Sequence, residues 1–153
     1  FIQDQDVSTV VTSLEGAGIL AERAMYMNTA DGKRGAHDSI GAYQTSTYWF
    51  LPEGTTRPGF DEWVLIQNPN DEAVKVRVTL LGPGGPAKQV TVDMPPRSRH
   101  TVHVNELADN LDVSTVVESA GDNPLGVLAE RAMYMWTSDF KQGAHDSLGI
   151  PSF

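Results

Sequence analysis

The chain has 153 residues, 40% hydrophobic and 20% charged, enough apolar content to bury a core and too much for a disordered segment. Its formal charge of −9, from 11 Lys and Arg against 20 Asp and Glu, leaves no basic track that could neutralise phosphates, which argues against nucleic acid as a partner. The absence of Cys removes disulfides, thiolate nucleophiles and sulfur-ligated metals, and no apolar run approaches the ~20 residues of a membrane span.

The chain begins at Phe1 with no initiator Met and no secretory signal pattern, which suits a processed protein or an excerpt of a longer array. Its aromatic ends, Phe1 and Phe153, are expected to pack against something such as a neighbouring chain. Three blocks follow in the first 42 residues: Asp-Val-Ser-Thr-Val-Val at 6–11, Leu-Ala-Glu-Arg-Ala-Met-Tyr-Met at 20–27 and Gly-Ala-His-Asp-Ser at 35–39. All three return, at 112–117, 128–135 and 143–147, with an offset that grows from 106 to 108. The two extra residues fall within 119–126, a Gly/Asp/Asn/Pro-rich stretch that reads as a loop. The chain therefore reads as about one and a half units of an internal repeat of about 106 residues. Residues 42–47 lack large aliphatics and read as a linker. Residues 1–46 are then the closing half of a repeat, a partial sandwich that needs a partner, and residues 47–153 a complete repeat.

Within the complete unit, 48–51 and 63–66 are short apolar runs bounded by Pro52-Glu53-Gly54 and Asn68-Pro69-Asn70, which predicts strands buried on both faces. Val74, Val76, Val78 and Leu80 alternate with Lys75, Arg77 and Thr79, the signature of a strand with one wet face. Gly82-Pro83-Gly84-Gly85-Pro86 forces a turn, and the alternation of Val90, Val92 and Met94 brings the chain back as an antiparallel hairpin that Pro95 and Pro96 end. A strand at 101–104, a helical turn at 106–110 and strands at 114–118, 127–136 and 144–150 complete the pattern. About eight short strands with turn chemistry between them predict an all-β fold, an antiparallel, immunoglobulin-like β-sandwich.

Several blocks in this unit stand in a fixed order: Tyr48-Trp49-Phe50-Leu51-Pro52-Glu53-Gly54, then Gly59-Phe60-Asp61-Glu62-Trp63 and Gln67-Asn68-Pro69-Asn70, and finally Ala129-Glu130-Arg131-Ala132-Met133-Tyr134 and Gly143-Ala144-His145-Asp146. The set resembles the tandem extracellular β-sandwich repeats of bacterial surface proteins, whose unit opens on Trp/Tyr-Phe-Ala-Glu-Gly. The resemblance covers 47–150 fully and 6–42 as a partial copy, with Pro52 standing where that family usually has Ala. It implies secretion, modules strung in arrays and no known catalytic activity.

The candidate site residues are the repeated polar ones, Glu22, Arg23, His37 and Asp38 with their counterparts Glu130, Arg131, His145 and Asp146. Along 127–135, Val127, Ala129, Arg131, Met133 and Met135 share one face, opposite Glu130 and Tyr134. An Arg on an apolar face is costly unless a carboxylate pairs with it, and Glu53, Glu62 and Asp146 are the candidates. These residues are expected to form a structural polar network. No Ser stands in a nucleophile elbow, and His100 and His103 are three apart, on opposite faces of a strand, so no catalytic residue, metal or cofactor is expected. Asp61, Glu62, Asn70, Asp71 and Glu72 offer calcium-type oxygens without a calcium-loop spacing and read as solvated turn residues. Trp49, Trp63 and the methionines 25, 27, 133 and 135 read as core. Trp136 replaces Asn28 of the first copy and is the candidate surface contact, to sugar or to a neighbouring subunit.

The expected function is that of an extracellular structural or assembly protein, not an enzyme: a β-sandwich subunit or array segment of a surface filament, self-associating through inter-subunit strand packing. The alternative is a carbohydrate-binding or adhesive surface module with a polysaccharide partner.

Overall fold

The computed structural model describes every residue except Phe1, Asp4, Asn123, Phe140 and Phe153, so the packing expected of the two aromatic ends lies outside the described residues. In chain order the strands are β1 (Glu22–Asn28), β2 (Arg34–Ile40), β3 (Tyr48–Leu51), β4 (Phe60–Asn68), β5 (Val74–Gly82), β6 (Gly85–Met94), β7 (Ser98–His103), β8 (Ser114–Ala120), β9 (Leu128–Trp136), β10 (Gln142–Leu148) and β11 (Ile150–Pro151). The expected helical turn is a single 3-10 turn, Val104–Glu106, earlier than the 106–110 read from sequence.

The nine strands from β3 onward form two antiparallel sheets, with the two-residue β11 at one edge. One sheet runs β11-β3-β8-β5-β6 and the other β10-β9-β4-β7. Their inner faces meet over Trp49, Leu51, Val64, Ile66, Val76, Val78, Leu80, Val117 and Val127, each no more than 2% exposed. This is the antiparallel β-sandwich the alternation predicts. The Trp49 indole N–H, buried in that core, donates to the carbonyl of Val127 at 2.8 Å and so ties the start of the first sheet to the second. Asn68, with no exposed surface, shows how a polar residue is accommodated: its amide donates to the carbonyls of Glu72 and Pro95, both at 2.8 Å, and closes the turn after β4.

Two apolar runs depart from expectation. In β4, Glu62, Val64, Ile66 and Asn68 point inward, so Trp63 and Leu65 fall on the outer face; the strand is buried on one side, not both. Trp63 is therefore not core. It lies flat on His103, with ring centroids 3.9 Å apart and planes 5° apart. Likewise Phe50, between buried Trp49 and Leu51, is 42% exposed. Hydrophobicity suggested burial for every member of these runs, but a strand offers only alternate positions to one core.

The partial copy folds differently from its counterpart at one block and identically at the others. Residues 6–11 form no strand, and Val10 and Val11 are 67% and 59% exposed. In the same sequence at 112–117, residues from Ser114 onward enter β8, hydrogen-bonded on both edges, and Val117 is fully buried. By contrast β1 and β2 pair from Glu22↔Ile40 to Asn28↔Arg34, the register of β9 and β10 from Glu130↔Leu148 to Trp136↔Gln142. The turns also agree: Thr29 N–H donates to Lys33 O and Thr137 N–H to Lys141 O, both at 3.0 Å. The β1–β2 hairpin is a sheet of its own, and it rests on β10. Gly35 sits so close there that a Cβ on it would lie 2.9 Å from the Cβ of Ala144.

Candidate inter-repeat interface

Pairing in register gives each hairpin two chemically distinct faces. Arg23, Met25 and Met27 of β1 pair with Ser39, His37 and Gly35 of β2 and share one face, called inner here; Glu22, Ala24 and Tyr26 pair with Ile40, Asp38 and Ala36 on the outer face. The second hairpin repeats this, with Arg131, Met133 and His145 inner and Glu130, Tyr134 and Asp146 outer.

The inner face of β9–β10 packs against the sandwich through Ala129 and Arg131, while Met133 is half-buried and His145 exposed. Arg131, 3% exposed, has its guanidinium 3.8 Å from Glu53 Oε2 and donates toward Nδ1 of His145 at 3.2 Å. Glu62, 1% exposed, is the second carboxylate near it; burial pushes its carboxyl up to about 7, against the opposing pull of Arg131. A Cβ on Gly54 would lie 2.2 Å from Glu62 Oε1, so glycine at 54 is what lets the carboxyl sit there. Of the three candidate partners, Glu53 and Glu62 accompany Arg131, whereas Asp146 belongs to the other face.

The inner face of β1–β2 covers the outer face of β9–β10. Arg23 Nη2 lies 3.0 Å from Glu130 Oε1 and also contacts Asp146 Oδ2. Ser39 Oγ donates to Glu130 Oε1 at 2.7 Å. His37 Nδ1 is 3.2 Å from Asp146 Oδ2, and its Nε2 is 3.5 Å from the Tyr134 hydroxyl. The side chain of Asp146 has no exposed surface; burial, then its neighbour Glu130, push its carboxyl to about 7 despite Arg23. Burial, then Arg23, lower the pKa of His37. At the hairpin tip Lys33 Nζ stands 4.6 Å over the ring of Trp136, which stacks on Tyr134, and the Arg34 N–H donates to Gln142 Oε1 at 2.8 Å. Trp136 is thus half-buried beneath the first copy, and not an open platform.

The nine polar residues read from sequence therefore separate into three groups. Arg23, His37, Glu130 and Asp146 meet between the hairpins, Arg131, His145 and Glu53 meet at the sandwich end, and Glu22 and Asp38 lie exposed. Lys33, Ser39 and Tyr134 escaped notice as interface residues, because nothing in a single strand tells which surface its inner face will meet. A further pair, Asp61 Oδ1 and His103 Nε2 at 2.6 Å, also lies on the outer face; burial opposes protonation of His103, but Asp61 and Glu106 raise its pKa overall. The acidic loop residues disperse: Asp61 meets His103, Asp71 meets Arg97 and Glu62 is buried. An open cleft of about 530 Å³ at one end of the sandwich is lined by Glu53, Thr55, Asp112, Ser114 and Met133 among others.

Residues 3–129 match a family of unknown function, DUF5719. A crystal structure of Thermotoga maritima 1070 is similar at TM-score 0.62 and 19% identity, over 71% of this chain and 97% of that one, a likeness that shows the fold alone. The Anabaena sensory rhodopsin transducer is similar at TM-score 0.46 and 25% identity, over 58% of this chain and 99% of that one. No curated protein matches the chain at a significant level.

Proposed function

The chain belongs to DUF5719, a family of unknown function, and on that premise we propose that it is an extracellular structural protein, an array segment or filament subunit that joins its neighbours through the closing hairpin. The observation that carries this reading is the use of one inner face in two places. In the sandwich, Arg131 lies 3.8 Å from the carboxylate of Glu53 and within electrostatic reach of buried Glu62. Between the hairpins, Arg23 meets Glu130 and Asp146. The hairpin is thus a plug, an Arg at one end of a face that continues with two Met residues, and it seats where a surface offers two carboxylates of which at least one is buried. Because β1–β2 is joined in chain to the sandwich through the short segment 41–47 and forms a sheet of its own, the contact it makes within one chain can also be made to another, as in exchange of a structural element between protomers. Placement outside the cell rests on the resemblance to surface repeats.

The test is sedimentation of the full chain across micromolar concentrations, with electron microscopy of the same samples. Oligomers or fibres are expected, and Arg23→Glu should reduce them to monomer while the sandwich stays folded. A wild-type chain that remains at 16.6 kDa throughout would sink the reading. The open cleft with its Glu, Thr, Asp and Ser lining favours a second reading, a carbohydrate-binding or adhesive module. A monomer retained on immobilised polysaccharide would support it.

A further inference from the structure

The outer face of β1–β2 has the composition of the surface that β1–β2 itself covers. Glu22, Tyr26 and Asp38 correspond in sequence and register to Glu130, Tyr134 and Asp146. On the second hairpin these three are met by Arg23, His37 and Ser39. On the first they stand open, with Tyr26 82% and neighbouring Ile40 63% exposed, a large apolar area flanked by two carboxylates. The small residues that permit close approach recur too: Ala36 occupies the place of Ala144, against which Gly35 packs.

We propose that this outer face is a second docking socket, filled by the β1–β2 hairpin of a second copy of the chain, its Arg23 entering between Glu22 and Asp38 and its His37 beside Tyr26. Charge decides the occupant. Two outer faces brought together would oppose Glu22 and Asp38 to their own copies, whereas an inner face supplies the Arg. The inner face of β9–β10 is anchored in its own sandwich through buried Ala129 and Arg131, so β1–β2, with no residue in the core, is the plug that can be exchanged. Each chain therefore carries one plug and two sockets, an imbalance that lets copies add in a line. The second socket differs where it matters for order of filling. Asn28 stands where Trp136 lies under Lys33, and Arg34 where Gln142 accepts a hydrogen bond, so the second socket is the weaker and fills when the first is unavailable.

The inference rests on the reading that the hairpin docks between chains, and the two can fail separately. The first socket is removed by Glu130→Gln/Asp146→Asn, near-isosteric changes, together with Ala144→Arg as a wedge against Gly35. Released hairpins should then seat on Glu22 and Asp38 of neighbours, and the sedimenting mass at tens of micromolar should reach at least twice 16.6 kDa. Adding Glu22→Lys/Asp38→Lys should return it to monomer. Burial of Trp49, read by fluorescence, checks that the sandwich is intact; the Gln/Asn pair alone serves if the wedge unfolds it. A monomer overturns the second socket, as does association that survives the Lys substitutions. So does a hairpin that stays docked and protects 41–47 from protease, because the socket would then not be recognised by its carboxylates. Wild-type association beside a monomeric variant leaves the trans reading standing without the second socket; a monomeric wild type beside an associating variant does the reverse.

Discussion

Glu62 shows how far one buried side chain can set the behaviour of the domain. Its carboxyl sits behind Gly54, is 1% exposed and titrates at about 7 against an ordinary value of 4.5. A carboxyl raised on folding holds a proton that the unfolded chain has already lost, so stability falls as pH climbs from 4.5 toward 7. The loss is on the order of 3 kcal/mol. Glu62→Gln mimics the protonated form, and urea unfolding followed by Trp fluorescence at pH 5 and pH 8 should show a wild-type midpoint that drops further than the variant's. Equal slopes in both proteins would refute the assignment. Asp146 acts in the same direction at the hairpin contact, whereas His37, with its pKa lowered, weakens that contact as pH falls below its ordinary 6.5. The Arg131 environment was legible in the sequence as a need for a carboxylate, because the strand period puts Arg131 beside Ala129 and Met133. The choice of Glu53 and Glu62 was not, since it depends on how β3 and β4 come together.

At the scale of the element, the hairpin is the unit that sequence describes best. Thr29, Asp31 and Lys33 build the same turn as Thr137, Asp139 and Lys141, and the register on either side is the same. Seating of β1–β2 is then a matter of surface fit. Gly35→Val keeps strand propensity but adds branches where even a Cβ would lie 2.9 Å from Ala144. The hairpin should lift, and limited proteolysis should cut within 41–47 at least tenfold faster while the core of the sandwich stays protected. Unchanged cleavage would mean that Gly35 is not a close contact. The β5–β6 hairpin was equally legible from its alternation and its Gly/Pro turn. Trp63 was misjudged because an aromatic among aliphatics suggests core, although its parity with Leu65, opposite to Val64 and Ile66, already placed it outside.

For the whole molecule, the buried core belongs to β3 through β10 and the segments between them, and among the described residues it begins at Trp49. Residues 47–153 alone should therefore fold to the same sandwich, with Trp49 buried and the Glu130, Tyr134 and Asp146 surface bare. Circular dichroism and sedimentation should find a folded monomer, because the plug is gone; an unfolded fragment would show that the first copy contributes to the core. Periodicity and turn chemistry were sufficient to predict strands, hairpins and a sandwich, because those signals act over a few neighbouring residues. They were insufficient for the fate of Asp-Val-Ser-Thr-Val-Val. The same six residues are outside any strand and exposed at 6–11, and at 112–117 lead into a strand hydrogen-bonded between β3 and β5. A strand takes its hydrogen bonds from its neighbours and not from itself, so only the tertiary arrangement, by supplying two edges to one copy and none to the other, could tell them apart.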